Sequence, residues 1–175
     1  MSGTILIVAA EAREFDGLIA RVGGRPLAWG LQFAREAELN GKRAVMVAHG
    51  AGMRMAAVAA DTARRKVAPD VVVSTGFCGA LDAGLETGSV FVASSVIHRE
   101  SGAVYRCSEA GAGRSRRGLL ASQDRVAWTA EEKAELRRTG ALAVEMEAAA
   151  VAERAQTWSA PFYCIRSVSD SAGEG

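Results

Sequence analysis

Apolar positions along this chain keep two different rhythms, one of strands and one of helices. Thr4–Ala9 (Thr-Ile-Leu-Ile-Val-Ala) is an unbroken apolar run of strand length, as expected for a strand covered on both faces. After Ala10-Glu11-Ala12-Arg13-Glu14 the spacing changes. Phe15, Leu18, Ile19 and Val22 recur at i, i+3, i+4 and i+7, one face of an amphipathic helix that Gly23-Gly24 stops. Asn40-Gly41 is a hairpin dipeptide, so Leu27–Glu38 is expected to pair with a strand over Lys42–Ala48. A Gly-rich turn, His49-Gly50-Ala51-Gly52, then leads into a helix over Met53–Lys66. Val71–Thr75 reads as another buried strand with Gly76–Leu81 as its exit loop, and Ser89–Ile97 as a long strand after the Thr87-Gly88 turn. His98–Gly118, rich in Gly, Ser and Arg, predicts a surface loop before Leu119–Ser122 returns to the sheet. Thr129 and Glu132 form a capping box whose helix ends at Gly140.

The last third organises the rest. Ala143–Ala150 reads as the opening of a helix: Met146–Ala155 has no Gly or Pro, Ala dominates, and acids stand in the first turn, where they complement the dipole. Pro161 punctuates, and a strand of aromatic and β-branched residues follows from Phe162, with a small, polar exit. Asp170 thus stands just past the carboxyl end of that strand, where open α/β sheets place their ligands. Glu14 lies at a strand-to-helix junction. Glu145 and Glu147, two apart, would be separated by about 200° on a helix, so one of them is expected to be either a solvated acid or an N-terminal, dipole-matching one. The bland reading of Glu14 is the same, and that of Asp170 is a turn cap. The alternation of strands and helices predicts an α/β layered domain with a parallel or mixed sheet. Three acids from separate parts of the chain, Glu14, Glu147 and Asp170, fall at element ends around one expected pocket.

Composition narrows the function classes. The 175 residues leave room for one domain, 1–175, and 49% hydrophobic with only 6% aromatic residues fits Ala-rich helices packed closely on a sheet. A net charge of +1 gives no electrostatic footprint for nucleic acid. Cys78, Cys107 and Cys164 are scattered and odd in number, without metal spacing or a disulfide framework, so a reducing cytoplasm and no metal are expected. The apolar run at the start has no basic region before it and reads as a strand, not a signal peptide; no window reaches transmembrane length uncharged. His49 and His98 pair with no Cys or Ser nucleophile and read as structural. The turn His49–Gly52 has a shape that can hold an anion on backbone N–H groups, with Arg54 to assist, but lacks a dinucleotide or P-loop fingerprint.

Three segments together carry a resemblance. They are Ile-Leu-Ile-Val-Ala-Ala-Glu-Ala-Arg-Glu-Phe at Ile5–Phe15, Val-Ser-Thr-Gly-Phe-Cys-Gly-Ala-Leu-Asp-Ala-Gly-Leu-Glu-Thr-Gly-Ser-Val at Val73–Val90, and Val-Glu-Met-Glu at Val144–Glu147 followed by Arg-Ser-Val-Ser-Asp at Arg166–Asp170. In that order, over nearly the whole chain, they resemble the nucleoside phosphorylase/nucleosidase superfamily. The likeness is closest to its methylthioadenosine/S-adenosylhomocysteine nucleosidases, with hopanoid-associated phosphorylases as a further relative. The resemblance implies a three-layer α/β/α fold with a central mixed sheet, in which the relatives' final helix after Asp170 has no counterpart. It implies Asp170 as general acid to N7 of a departing purine and Glu14 as the group that activates water. Glu147 would grip the ribose hydroxyls and Met146 would lie under the sugar. Phe77, Cys78 and Gly79 would form one wall, Val126 and Ala127 would meet the base, and Ser169 would stand beside the acid.

The resemblance further implies no cofactor, a small-molecule nucleoside as substrate, and a homodimer. Departures from the phosphorylase pattern favour water over phosphate. Ala10–Glu14 replaces a Gly-Asp-Pro segment, and Ser74 and Phe77 stand where an arginine and a serine are usual. Arg13, Arg54 and the group Arg114, Arg116 and Arg117 keep phosphorolysis open as the alternative, with phosphate as co-substrate. Val126-Ala127 makes a roomier wall than the usual aromatic-aliphatic pair, which points to a bulkier adenosyl compound. An inactive nucleoside-binding protein is the third reading.

Overall fold

The computed structural model describes residues 3–111 and 113–174. β1 (Thr4–Ala9) is followed by a 3-10 turn (Ala12–Phe15) and α1 (Asp16–Val22); β2 (Arg25–Pro26), β3 (Phe33–Leu39) and β4 (Lys42–Ala48) precede α2 (Met53–Lys66). β5 (Val71–Ala80), β6 (Val90–His98), β7 (Val104–Arg106) and β8 (Arg116–Ser122) lead to α3 (Ala130–Arg137); β9 (Ala143–Glu145), α4 (Ala148–Thr157) and β10 (Phe162–Asp170) complete the described order. One mixed sheet joins the strands, with helices on both faces. Side-chain alternation assigns the faces. Leu6, Val8, Val45 and Val47 pack with the alanines of α2 and α4, whereas Ile7, Ala9, Ala44 and Met46 pack with Phe15 and α1. Ala121 and Val144 meet Leu136 of α3 on the second face. Small side chains let α2 and α4 lie close: Ala56, Ala59, Ala60, Ala63, Ala148, Ala149, Ala152 and Ala155 are all buried.

β5 is the strand on which the sheet divides. One edge pairs with β10 along most of its length, Phe162↔Val72 through Asp170↔Gly79. The other edge pairs first with β1, Ile5↔Val71 through Val8↔Ser74, and later with β9, Gly79↔Val144 and Ala80↔Ala143. Between those pairings the edge forks. β10, β6, β8 and β9 then return to β5 and close a ring, while β1, β4, β3 and β2 extend outward as an arm. The cavity described below sits at the fork.

Several expectations need correcting. Gly76–Leu81 is not an exit loop: β5 continues to Ala80, because its second half gains β9 and β10 as neighbours. Ala143–Glu145 is a strand rather than helix, since β5 and β8 offer it two paired edges that outweigh the helical preference of Ala; the helix starts at Ala148. The stretch His98–Gly118 contains β7 and the start of β8 instead of a continuous loop. Within Leu27–Glu38 only Phe33 onward pairs with β4. Neither Glu145 nor Glu147 is solvated; each is 6% exposed.

Candidate active site

Glu14 is carried by the 3-10 turn after β1, and Phe15 anchors that turn by stacking on Phe33 with ring centroids 5.3 Å apart. Its Oε2 accepts the backbone N–H groups of Ala10 (2.8 Å) and Glu11 (2.7 Å). Its Oε1 accepts the N–H of Phe77 at 3.0 Å, inside the stretch of β5 left unpaired at the fork. The side chain thereby ties the end of β1 to the middle of β5. Gly76, at φ +135°, allows the close approach: a Cβ there would collide with both Glu14 Oε1 and Arg166 Nη1.

Glu145 and Glu147 follow on the far side of the fork. Glu145 Oε2 accepts the N–H groups of Glu147 (2.8 Å) and Ala148 (2.9 Å), so a strand residue caps the helix that comes after it. The same oxygen accepts from Arg166 Nη2 at 2.7 Å. Arg166 reaches it from β10 inside the ring, 1% exposed, and also donates to Ser74 Oγ and the Thr75 carbonyl. Burial opposes its charge, but Glu145, together with Cys164, Glu147 and Glu14, outweighs that and holds the guanidinium firmly protonated. Glu147 Oε2 accepts the N–H of Gly52 at 2.8 Å. Burial first, then the charge of Glu145, lifts the Glu147 carboxyl to about 7, against the pull of Arg166 and the Gly52 hydrogen bond, with Glu14 adding to the rise.

Asp170 ends β10. A Cβ on Gly79 would stand 3.0 Å from its Oδ2, so glycine lets the β5 backbone come against the carboxyl. Ser169 Oγ lies 2.8 Å from Asp170 Oδ1 and 3.2 Å from the Cys78 carbonyl. Lys133 of α3, 4% exposed, donates to Asp170 Oδ2 at 2.7 Å.

These groups enclose one cavity of about 310 Å³. Every residue expected at the site lines it: Glu14, Phe77, Cys78, Gly79, Val126, Ala127, Met146, Glu147, Ser169 and Asp170. The Cys78 thiol, pushed up to about 12 by burial, stays a neutral wall group and not a nucleophile. Among the described residues no group of three His, Cys, Asp or Glu is placed to hold a metal, and no helix is long and apolar enough to cross a membrane. His49 accepts the Gln32 N–H and His98 pairs with Glu100, away from the cavity.

The arginines considered for phosphate separate. Arg13 lines the cavity but is paired with Glu11 at 2.6 Å and lies over the Phe77 ring. Arg54 sits in a different surface hollow, Arg116 pairs with Asp82, and Arg117 binds the carbonyls of Ala110 and Gly111. The N-terminus of α2, the expected anion cradle, is already occupied by side chains: Gly52 N–H serves Glu147 and Met53 N–H serves Asp124 at 3.3 Å. Sequence reasoning left out Lys133, Arg166 and the burial of Glu145. The capping box could have found the first, because it fixes the phase of α3 and sets Lys133 three residues before Leu136, on one face.

Comparison with known proteins gives a consistent neighbourhood. The family model described as Phosphorylase superfamily matches residues 5–112 and 103–175. The 5'-methylthioadenosine/S-adenosylhomocysteine nucleosidase of Actinobacillus succinogenes is 27% identical, over 97% of this chain and 86% of its own. The crystal structure of the enzyme of that name from Neisseria meningitidis, in complex with methylthio-immucillin-A, superposes with a TM-score of 0.88 at 31% identity, covering 98% of this chain and 87% of that one. A futalosine hydrolase mutant of Helicobacter pylori shares the fold with a TM-score of 0.86 at 20% identity.

Proposed function

The chain belongs to the phosphorylase superfamily and is an enzyme acting on nucleosides, and from that premise we propose that it hydrolyses the N-glycosidic bond of a purine nucleoside of the adenosyl type. The observation that carries the reading is the facing of Glu14, Glu147 and Asp170, distant in sequence, onto one nucleoside-sized cavity. Breaking the bond between sugar and base leaves an oxocarbenium-like sugar, which nearby carboxylates stabilise. Asp170 gives a proton to N7 of the base as the glycosidic electrons depart with it. Glu14, across the fork, takes a proton from the attacking water. Glu147 accepts the ribose hydroxyls, Met146 lies under the sugar, and Val126 and Ala127 meet the base, with Phe77, Cys78 and Gly79 as the wall behind. Water is favoured over phosphate because the α2 N-terminus serves Glu147 and Asp124, and because Arg13 is engaged by Glu11.

The test is product analysis. Methylthioadenosine, S-adenosylhomocysteine and adenosyl compounds of larger substituent are incubated with the protein in phosphate-free buffer. Free adenine and the free sugar are expected. Adenine release that requires phosphate and yields the sugar 1-phosphate would replace hydrolysis by phosphorolysis. Calorimetric binding of adenine with no release from any nucleoside would leave a binding protein.

The elevated Glu147 carboxyl sets a pH dependence for substrate binding. Hydroxyl donors are accepted best by the ionised form, which is lost as pH falls through about 7. KM for the nucleoside is therefore expected to rise about tenfold per pH unit below that point and to level off above it. The stability contribution has the opposite slope. A carboxyl raised from 4.5 to about 7 on folding favours the native state below 4.5, and that contribution is lost as pH rises through about 7. A KM constant from pH 5 to 8 would remove Glu147 from the sugar site.

A further inference from the structure

α3 is a polar helix, Ala-Glu-Glu-Lys-Ala-Glu-Leu-Arg, that buries only Lys133 and Leu136. Among the described residues Lys133 is the one buried lysine. Placing an ammonium there costs desolvation that only good partners offset, and a leucine beside Leu136 would hold the helix to the sheet as well. The partners explain the choice. Lys133 Nζ donates to Asp170 Oδ2 at 2.7 Å, to the Ser171 carbonyl at 3.0 Å and to the Glu174 carbonyl at 2.6 Å. All three ammonium protons are spent on the last residue of β10 and the segment just after it. With Ser169 Oγ on Oδ1 and the Gly79 backbone against Oδ2, the carboxyl of Asp170 is held from three directions.

We infer that Lys133 is a positioning residue for the glycosidic cleavage: its buried ammonium holds the Asp170 carboxyl in register with the leaving base and balances the charge left on it. This rests on the reading of Asp170 as the general acid. In the step, the O–H bond of Asp170 breaks and N7–H forms, while the electrons of the C–N bond go to the base. The carboxylate left behind then lies against a cation already in place. Neither effect requires Lys133 to touch the nucleoside. It acts through Asp170, so its removal should change turnover and spare ground-state binding.

Four variants test it: K133M, K133R, D170N and K133M/D170N, assayed for kcat and KM on the nucleoside the protein cleaves, with melting temperatures recorded. K133M is expected to lose kcat about tenfold or more with KM within about twofold, because small misplacements of a reacting group are costly. K133R should recover part of the loss. The double variant should be no slower than D170N alone, since a residue acting only through Asp170 has nothing left to act on. An inactive D170N beside a K133M of wild-type turnover would overturn the role of Lys133 and leave Asp170 as the acid. Losses that add in the double variant would do the same. A D170N that keeps wild-type turnover would remove Asp170 as the acid, and this inference with it. Should K133M fail to fold, K133Q, one atom shorter but neutral and with two donors, carries the same comparison.

Discussion

A Glu14→Gln variant is expected to lose about 10²–10⁴-fold in kcat, the range a positioned acid or base supplies, while still binding nucleoside. The size of the loss follows from what the carboxyl does in the fork. Both of its oxygens accept backbone N–H groups, two at Oε2 and one at Oε1, so no rotation of an amide can satisfy them. Glutamine must turn its NH2 toward either Ala10 and Glu11 or Phe77, donor against donor. The variant thus loses the group that would take the proton from water and loosens the link between β1 and β5 as well. Two measurements separate the effects. Binding of a non-cleavable nucleoside analogue, by calorimetry, is expected within about tenfold of wild type, because the sugar and base contacts assigned to Glu147, Val126 and Ala127 remain. Turnover under saturating substrate is expected to collapse. Wild-type kcat in Glu14→Gln would mean that the water is activated elsewhere.

How far the sequence foretold this molecule depends on the range of the interaction involved. β1, β4, α2 and the capping box of α3 are written in local spacing and appear where the pattern puts them. The layered α/β arrangement likewise follows from alternating elements, whereas the three layers around a mixed sheet are what the resemblance implies. The closed ring follows from neither. It depends on β5 continuing through Gly76 to reach β9 and on β9 forming from Ala143–Glu145, whose outer two residues, Ala143 and Glu145, prefer helix. No short window contains that information, because the partners of β9 lie more than sixty residues earlier in β5 and more than twenty earlier in β8. The site divides the same way. Glu14 and Asp170 are visible in the sequence as acids at element ends, and the resemblance supplies the wall residues. In the sequence Glu145 competes with Glu147 as a helix acid, because a helix cannot face both glutamates inward. In the folded chain Glu145 belongs to the strand, Glu147 is the N-cap of α4, and the geometric conflict disappears. A lysine in a run of charges is ordinarily solvated, so no local pattern marks Lys133, and only its partners at the end of β10 draw it inside.

The pair beneath the site should be where the fold is most sensitive to a single charge. Glu145→Gln is expected to cost about 3–5 kcal/mol, because it leaves Arg166 charged and buried without its anion. Glu145 is 6% exposed and Arg166 1%, and the carboxylate is the side-chain anion that meets the guanidinium, at 2.7 Å. Urea unfolding should show a lower midpoint with an unchanged slope, the mark of lost stability rather than altered compactness. A second consequence reaches the cavity. The charge of Glu145 is one reason the Glu147 carboxyl sits near 7, so its neutralisation should move the rise in KM to lower pH. Replacing both partners, Glu145→Leu with Arg166→Met, separates fold from function. Stability should return most of the way, since apolar residues of similar volume commonly substitute for a buried pair. Activity should stay low, because the cap on Glu147 and Ala148 that Glu145 provides is gone and the Glu147 carboxyl, proposed to hold the sugar, loses its fixed position. A Glu145→Gln protein with a wild-type midpoint would show that Ser74 and the Thr75 carbonyl hold Arg166 unaided, and the case for the pair as the support of the site would end there.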